Sequence, residues 1–110
     1  MDIDIQTEGK ALVAAVRGRV DTLSAPAFEK AVTGSLGGEE KLLVFDFSGL
    51  EYISSAGLRV IISAAKTLKA KGGEVRLAAT TGSVQKVLQI SGFFSMFKNF
   101  ATRSAALAET

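Results

Sequence analysis

The chain has 110 residues, 47% of them hydrophobic and 22% charged, a composition suited to one globular domain spanning 1–110 that needs no disulfide or metal staple. Lys and Arg total 13 against 11 Asp and Glu, with the signs interleaved, so the net charge of +2 gives no basic stripe of the kind that binds nucleic acid. Cysteine and histidine are both absent, which excludes thiolate zinc sites, cysteine nucleophiles and the commonest general base and metal ligand.

The start, Met1-Asp2-Ile3-Asp4, is acidic and lacks the basic region of a signal peptide, and no apolar run reaches membrane-spanning length. A cytoplasmic protein with no inserted segment is expected. Ile3 and Ile5 alternate with Asp4 and Gln6, the period of a half-exposed strand. A turn at Glu8-Gly9-Lys10 leads to a greasy second strand over 12–16, making an antiparallel hairpin. Arg17-Gly18-Arg19-Val20-Asp21 then carries that strand outward to a loop. Ser24 and Pro26 open a first helix, with Ala27, Phe28, Ala31 and Val32 at helical spacing, and 35–38 closes it.

A buried third strand follows over 42–45, continued by Phe47 and interrupted by Asp46 near its end. After Tyr52-Ile53-Ser54 a second helix is predicted, with Leu58, Ile61, Ile62, Ala65 and Leu68 on its inner face and Arg59, Ser63, Lys66 and Lys69 on its surface. Gly72-Gly73 stops it. Val75, Leu77 and Ala79 alternate as a fourth strand. Ser83 caps a third helix carrying Val84, Val87, Leu88 and Ile90. A short edge strand near 97–100 and a last helix over 103–108 complete the order. Strands and helices alternate after the hairpin, which predicts an α/β fold with a mixed, mostly parallel sheet and about four helices.

In open α/β sheets, sites gather at the carboxyl ends of strands beside helix N-termini. Two polar loops qualify. One holds Asp21 and Thr22. The other holds Asp46, Ser48, Ser54, Ser55, Ala56 and Gly57. Ser54 suits the N-cap of the second helix, and Ser55 then becomes its first residue. A phosphate on Ser55 would meet free N–H groups and a favourable dipole there. Two serines at a helix start also serve simply as caps, and Asp21 or Asp46 as carboxylates bonded to loop amides.

The stretch Asp46-Phe47-Ser48 followed by Ser54-Ser55-Ala56-Gly57-Leu58 resembles the signature of STAS domains, in which Asp-x-Ser ends a strand and Asp-Ser-Ser-Gly-Leu starts a helix. Gly18-Arg19-Val20-Asp21 resembles that family's Gly-x-Leu-Asp loop, and Gly92-Phe93, Met96-Phe97 and the last helix resemble its tail. The likeness spans nearly the whole chain. It implies an anti-sigma factor antagonist, a binding switch rather than an enzyme, with no cofactor. Its implied partners are an anti-sigma factor that is itself a serine kinase of the histidine-kinase-like ATPase fold, and a PP2C-type phosphatase. The implied phosphoacceptor is Ser55, two residues before Gly57, with Ser54 as rival. The implied partner-binding residues are Asp21, Thr22, Asp46, Ser48, Ser54, Ala56, Gly57, Arg59 and Ser63. Ser54 replaces the family's usual Asp, and Ala56 its second Ser or Thr.

Other functions remain in play. One is an unphosphorylated STAS subunit of a transport or signalling assembly. Another is an enzyme built on Asp21, Asp46 or a lysine, for which no long loop closes a pocket. No P-loop occurs, and weak nucleotide binding near Ser55 would rest on the helix dipole alone. Four of the seven phenylalanines fall within 93–100, a density expected of core, with Phe94 as a contact residue if exposed.

Overall fold

The computed structural model describes residues 1–108. Gly9, with φ +63°, supplies the left-handed turn that joins β1 (Asp2–Glu8) to β2 (Ala11–Val20) in an antiparallel hairpin, Ile5 opposite Ala14. β3 (Leu42–Ile53), β4 (Glu74–Ala78) and β5 (Lys98–Phe100) follow as parallel neighbours, giving the spatial order β1-β2-β3-β4-β5. α1 (Ala25–Ser35), α2 (Ser55–Lys69) and α3 (Gly82–Ile90) make the crossovers. Each crossover steps the sheet in the same direction, so connections of one hand put all three helices on one face.

That face is the main core. Leu43, Phe45 and Phe47 point into it from β3 and meet Phe28 and Val32 of α1, Ile61 and Leu68 of α2, and Val84 and Leu88 of α3. Phe45 stacks on Phe47 at 5.6 Å and meets Phe28 edge-on at 5.9 Å. The opposite face is thinner. Ala11, Val13, Leu42, Val44 and Ala78 lie there beneath Ala106 of α5 (Arg103–Ala108). Arg76 is buried beside them, donating to Glu74 at 3.1 Å and to the Ala106 carbonyl at 2.7 Å.

The α/β class, the hairpin, the mixed sheet and the last helix are as expected from the sequence. Five helices form among the described residues rather than about four, because Phe93–Met96 coils into a short α4 that turns Phe93 into the core. Phe94 is half-buried and packs against that core, whereas Ile90 and Met96 are exposed.

Three local expectations change. First, β3 does not end near Phe47 but runs to Ile53, alongside β2, which runs outward to Val20 as expected. The polar signals at Ser48 and Gly49 are overridden by continued pairing, Arg17 with Gly49 and Val20 with Ile53. Irregularities between Ala15 and Arg17 and between Gly18 and Arg19 absorb the mismatch, with Gly18 at φ +85°. Second, the buried stripe of α2 is Gly57, Val60, Ile61, Ala64 and Leu68, while Leu58, Ile62 and Ala65 flank it half-buried. Third, Ser83 is not the cap of α3. Thr81 holds that position, and the Ser83 hydroxyl donates to the Glu51 carbonyl at 3.0 Å, tying α3 to β3.

Candidate functional site

Two chain segments meet at the carboxyl edge of the sheet. β2 and β3 end side by side, Val20 opposite Ile53, and the Ser54 amide donates to the Val20 carbonyl at 2.8 Å. This bond sets the β2–α1 loop against the start of α2. In the loop, the Asp21 carboxylate accepts from the Ser24 amide at 2.9 Å and its hydroxyl at 3.0 Å, and the Asp21 amide donates to the Ser24 hydroxyl at 2.9 Å. The Ser24 amide and hydroxyl hold the Asp21 carboxyl below its ordinary pKa. Ser24 is the N-cap residue of α1 by position, but its hydroxyl is spent on Asp21 and the Arg19 carbonyl instead of the helix amides. Thr22 and Leu23 stand out at the tip, Leu23 at 91% exposure.

Ser54 and Ser55 occupy different environments. Ser54 has extended backbone, is 9% exposed, and accepts from the Gly57 amide at 3.3 Å, the bond of an N-cap. Ser55 is the first residue of α2 and is exposed. Gly57 sits where no side chain fits: a β-carbon would stand 2.8 Å from both Ile53 Cγ1 and Val20 Cγ1. The helix start is therefore pressed onto the strand ends, with Ala56 half-buried beside it. Arg59 and Ser63 lie on the exposed side of α2 below Ser55. Lys66 and Lys69 continue that surface, and α2 carries no acidic residue.

Asp46 and Ser48 are placed apart from this cluster. Asp46 follows Leu42 and Val44 on the face that α5 covers, and its carboxylate accepts from Arg103 Nε at 2.9 Å and forms an ion pair with Nη2, also at 2.9 Å. It also accepts from the Ser48 amide at 3.0 Å. Burial alone would raise the Asp46 carboxyl, but the Ser48 amide and hydroxyl and the Arg103 guanidinium outweigh it and hold it below the ordinary value. Its bonding capacity is directed inward, towards α5.

Sequence alone does not mark Arg19 and Tyr52 as site residues. Opposed in the β2–β3 register, they place the Arg19 guanidinium 4.4 Å from the ring centroid, with Tyr52 partly exposed. The only sequence cue was their position just before the two polar loops. Among the described residues no group of His, Cys, Asp and Glu is placed to hold a metal, and no helix is long and apolar enough to cross a membrane.

The fold and this edge define a small α/β domain that presents a loop and a helix start at the carboxyl ends of its strands. The STAS domain family model matches residues 2–106, and the chain belongs to that family. BtrV of Bordetella bronchiseptica, provisionally named an anti-sigma factor antagonist, is 38% identical over 97 residues, covering 88% of this chain and 84% of BtrV. An anti-sigma factor antagonist from Mycobacterium paratuberculosis has the same fold, with a TM-score of 0.90 at 23% identity, covering 98% of this chain and 92% of that one. The Bacillus cell fate determinant SpoIIAA in its phosphorylated form superposes with a TM-score of 0.76 at 17% identity, covering 98% of each chain. The chain thus stands within the STAS family beside proteins named as anti-sigma factor antagonists.

Proposed function

We propose that this domain is a phosphorylation-controlled binding switch acting in the cytoplasm. Unphosphorylated, it binds an anti-sigma factor that is a serine kinase of the histidine-kinase-like ATPase fold, and so frees a sigma factor. The contact face comprises Asp21, Thr22, Ser54, Ser55, Ala56, Gly57, Arg59 and Ser63, with Leu23, Tyr52 and Arg19 beside them. Asp46 supports the fold behind that face through Arg103, and Ser48 lies exposed further back along β3.

The transfer step uses ordinary phosphoryl chemistry. The Ser55 oxygen attacks the γ-phosphorus of ATP and the bond from that phosphorus to the β,γ-bridging oxygen breaks. ADP leaves, and the hydroxyl proton passes to a base on the kinase. A PP2C-type phosphatase resets the switch, water attacking phosphorus to return the hydroxyl and inorganic phosphate.

The single observation that carries this proposal is the contrast between the two serines. The Ser55 hydroxyl is exposed at a helix N-terminus that tolerates an anion, whereas Ser54 is buried and its oxygen is bonded to the Gly57 amide. The phosphorylated state of SpoIIAA supports the same reading. A neutral serine at the middle of an interface is cheaply desolvated, while a phosphate dianion is not unless partner cations meet it. The cost of such a charge runs to several kcal/mol, and about 1.4 kcal/mol already changes affinity tenfold.

The test is intact mass and peptide mapping after incubation with ATP and the candidate serine-kinase partner. One phosphate is expected, lost in Ser55→Ala and retained in Ser54→Ala. Stable partner binding with no phosphate would instead make the domain a constitutive interaction subunit.

A further inference from the structure

We propose that Arg59 is the in-chain counter-ion of a phosphate on Ser55. The inference rests on Ser55 being the acceptor. It extends that reading by assigning a residue that receives the modification.

Ser55 and Arg59 are four apart on α2, so their β-carbons lie on one face about 6 Å apart. Both are exposed. The anion stands N-terminal to the cation, the favoured order for an i,i+4 pair because it matches the helix dipole. A guanidinium presents a planar fork that takes two phosphate oxygens at once. Arg59 is also uncommitted: among the described residues it makes no ion pair, and α2 offers no carboxylate to compete for it.

The surrounding charges leave that pairing open. From the end of β2, Asp21 is bonded to Ser24, and Arg19 lies over Tyr52. From β3, Glu51 uses its carbonyl on Ser83 and makes no ion pair among the described residues. α1 contributes exposed Glu29 and Lys30, and on β4 Glu74 and Arg76 pair with each other. Lys66 lies three turns further on, about 16 Å along the axis from Ser55 and out of reach.

Modification therefore changes the face in two ways. It adds a dianion at the helix start and withdraws the guanidinium one turn below. A partner carboxylate that met Arg59 in the unmodified domain loses that cation when Ser55 carries phosphate.

The experiment places phosphoserine at position 55 by codon reassignment and follows its second ionisation by phosphorus NMR. The phosphate is expected to titrate below its free value of about 6. Arg59→Gln should raise that midpoint by about 0.3 unit, the size of one exposed i,i+4 pair. Arg59→Lys should keep most of the shift, Lys66→Gln should leave it in place, and added salt should shrink the Arg59 contribution. Identical midpoints in wild type and Arg59→Gln, or an equal change in Lys66→Gln, would overturn the proposal. Because the phosphate is installed without a kinase, such a result counts against Arg59 alone. Failure of a kinase to modify Ser55 counts against the acceptor assignment alone.

Discussion

Arg103 of α5 grips Asp46 of β3 through two of its nitrogens, each 2.9 Å from the same carboxylate oxygen, while its third nitrogen holds Glu8 of β1 at 2.9 Å. One side chain thus ties the last helix to a central strand and to the edge strand. Asp46 is largely buried and Arg103 half-exposed, so the pair is only partly screened by water. Removing either partner leaves the other's charge poorly compensated. Arg103→Ala and Asp46→Ala are each expected to lose about 1–3 kcal/mol in urea unfolding. The double variant should lose less than the sum of the two.

The same carboxylate predicts acid sensitivity. Its folded pKa lies below the unfolded value, so folding binds the proton less tightly than the open chain does. The contribution is fully present above the ordinary Asp value of about 3.9 and is lost as pH falls through the lower folded value. Asp46→Asn should therefore be less stable than wild type at pH 7, and the gap should narrow as the pH is lowered through that window. A gap that stays constant with pH would contradict this assignment.

The two adjacent serines should separate stability from modification. Ser54→Ala removes the N-cap bond to the Gly57 amide and should cost about 1 kcal/mol in thermal unfolding. Ser55→Ala, at an exposed first-turn position, should stay within about 0.5 kcal/mol while abolishing phosphorylation.

Gly57→Ala tests how tightly α2 is seated. The added methyl collides with Ile53 and Val20, whose strand ends cannot retreat without breaking the sheet edge. A loss of about 1–3 kcal/mol is expected, read as a lower midpoint in urea. A neutral result would show that the helix start has slack to move.

Leu23 is expected to serve the interface, not the fold. At 91% exposure it contributes almost nothing to the core. Leu23→Ser should leave the melting temperature nearly unchanged and weaken kinase-partner binding about tenfold in calorimetry. Unchanged affinity would remove the loop tip from the contact face.

Much of this molecule follows from local pattern. Alternation in Ile3 and Ile5, the glycine turn at Gly9, and the helical spacing in 58–68 were enough to place the hairpin, the parallel strands and α2, because periodic burial is written along the chain. The serine pair at the start of α2 was legible for the same reason, since a cap is a local bond. Other features depended on partners far away in sequence. The extension of β3 to Ile53 needed β2 beside it, and polar Ser48 and Gly49 gave no hint of that pairing. Asp46 belonged with the second polar loop by sequence, yet the two-residue period of the strand turned it to the α5 face, where Arg103 arrives from 57 positions away. The Arg19–Tyr52 stack and the difference in exposure between Ser54 and Ser55 are likewise products of packing. A sequence determines which residues cap, turn and alternate. Only the assembled sheet decides which faces meet, and hence which of two neighbouring hydroxyls is left in water.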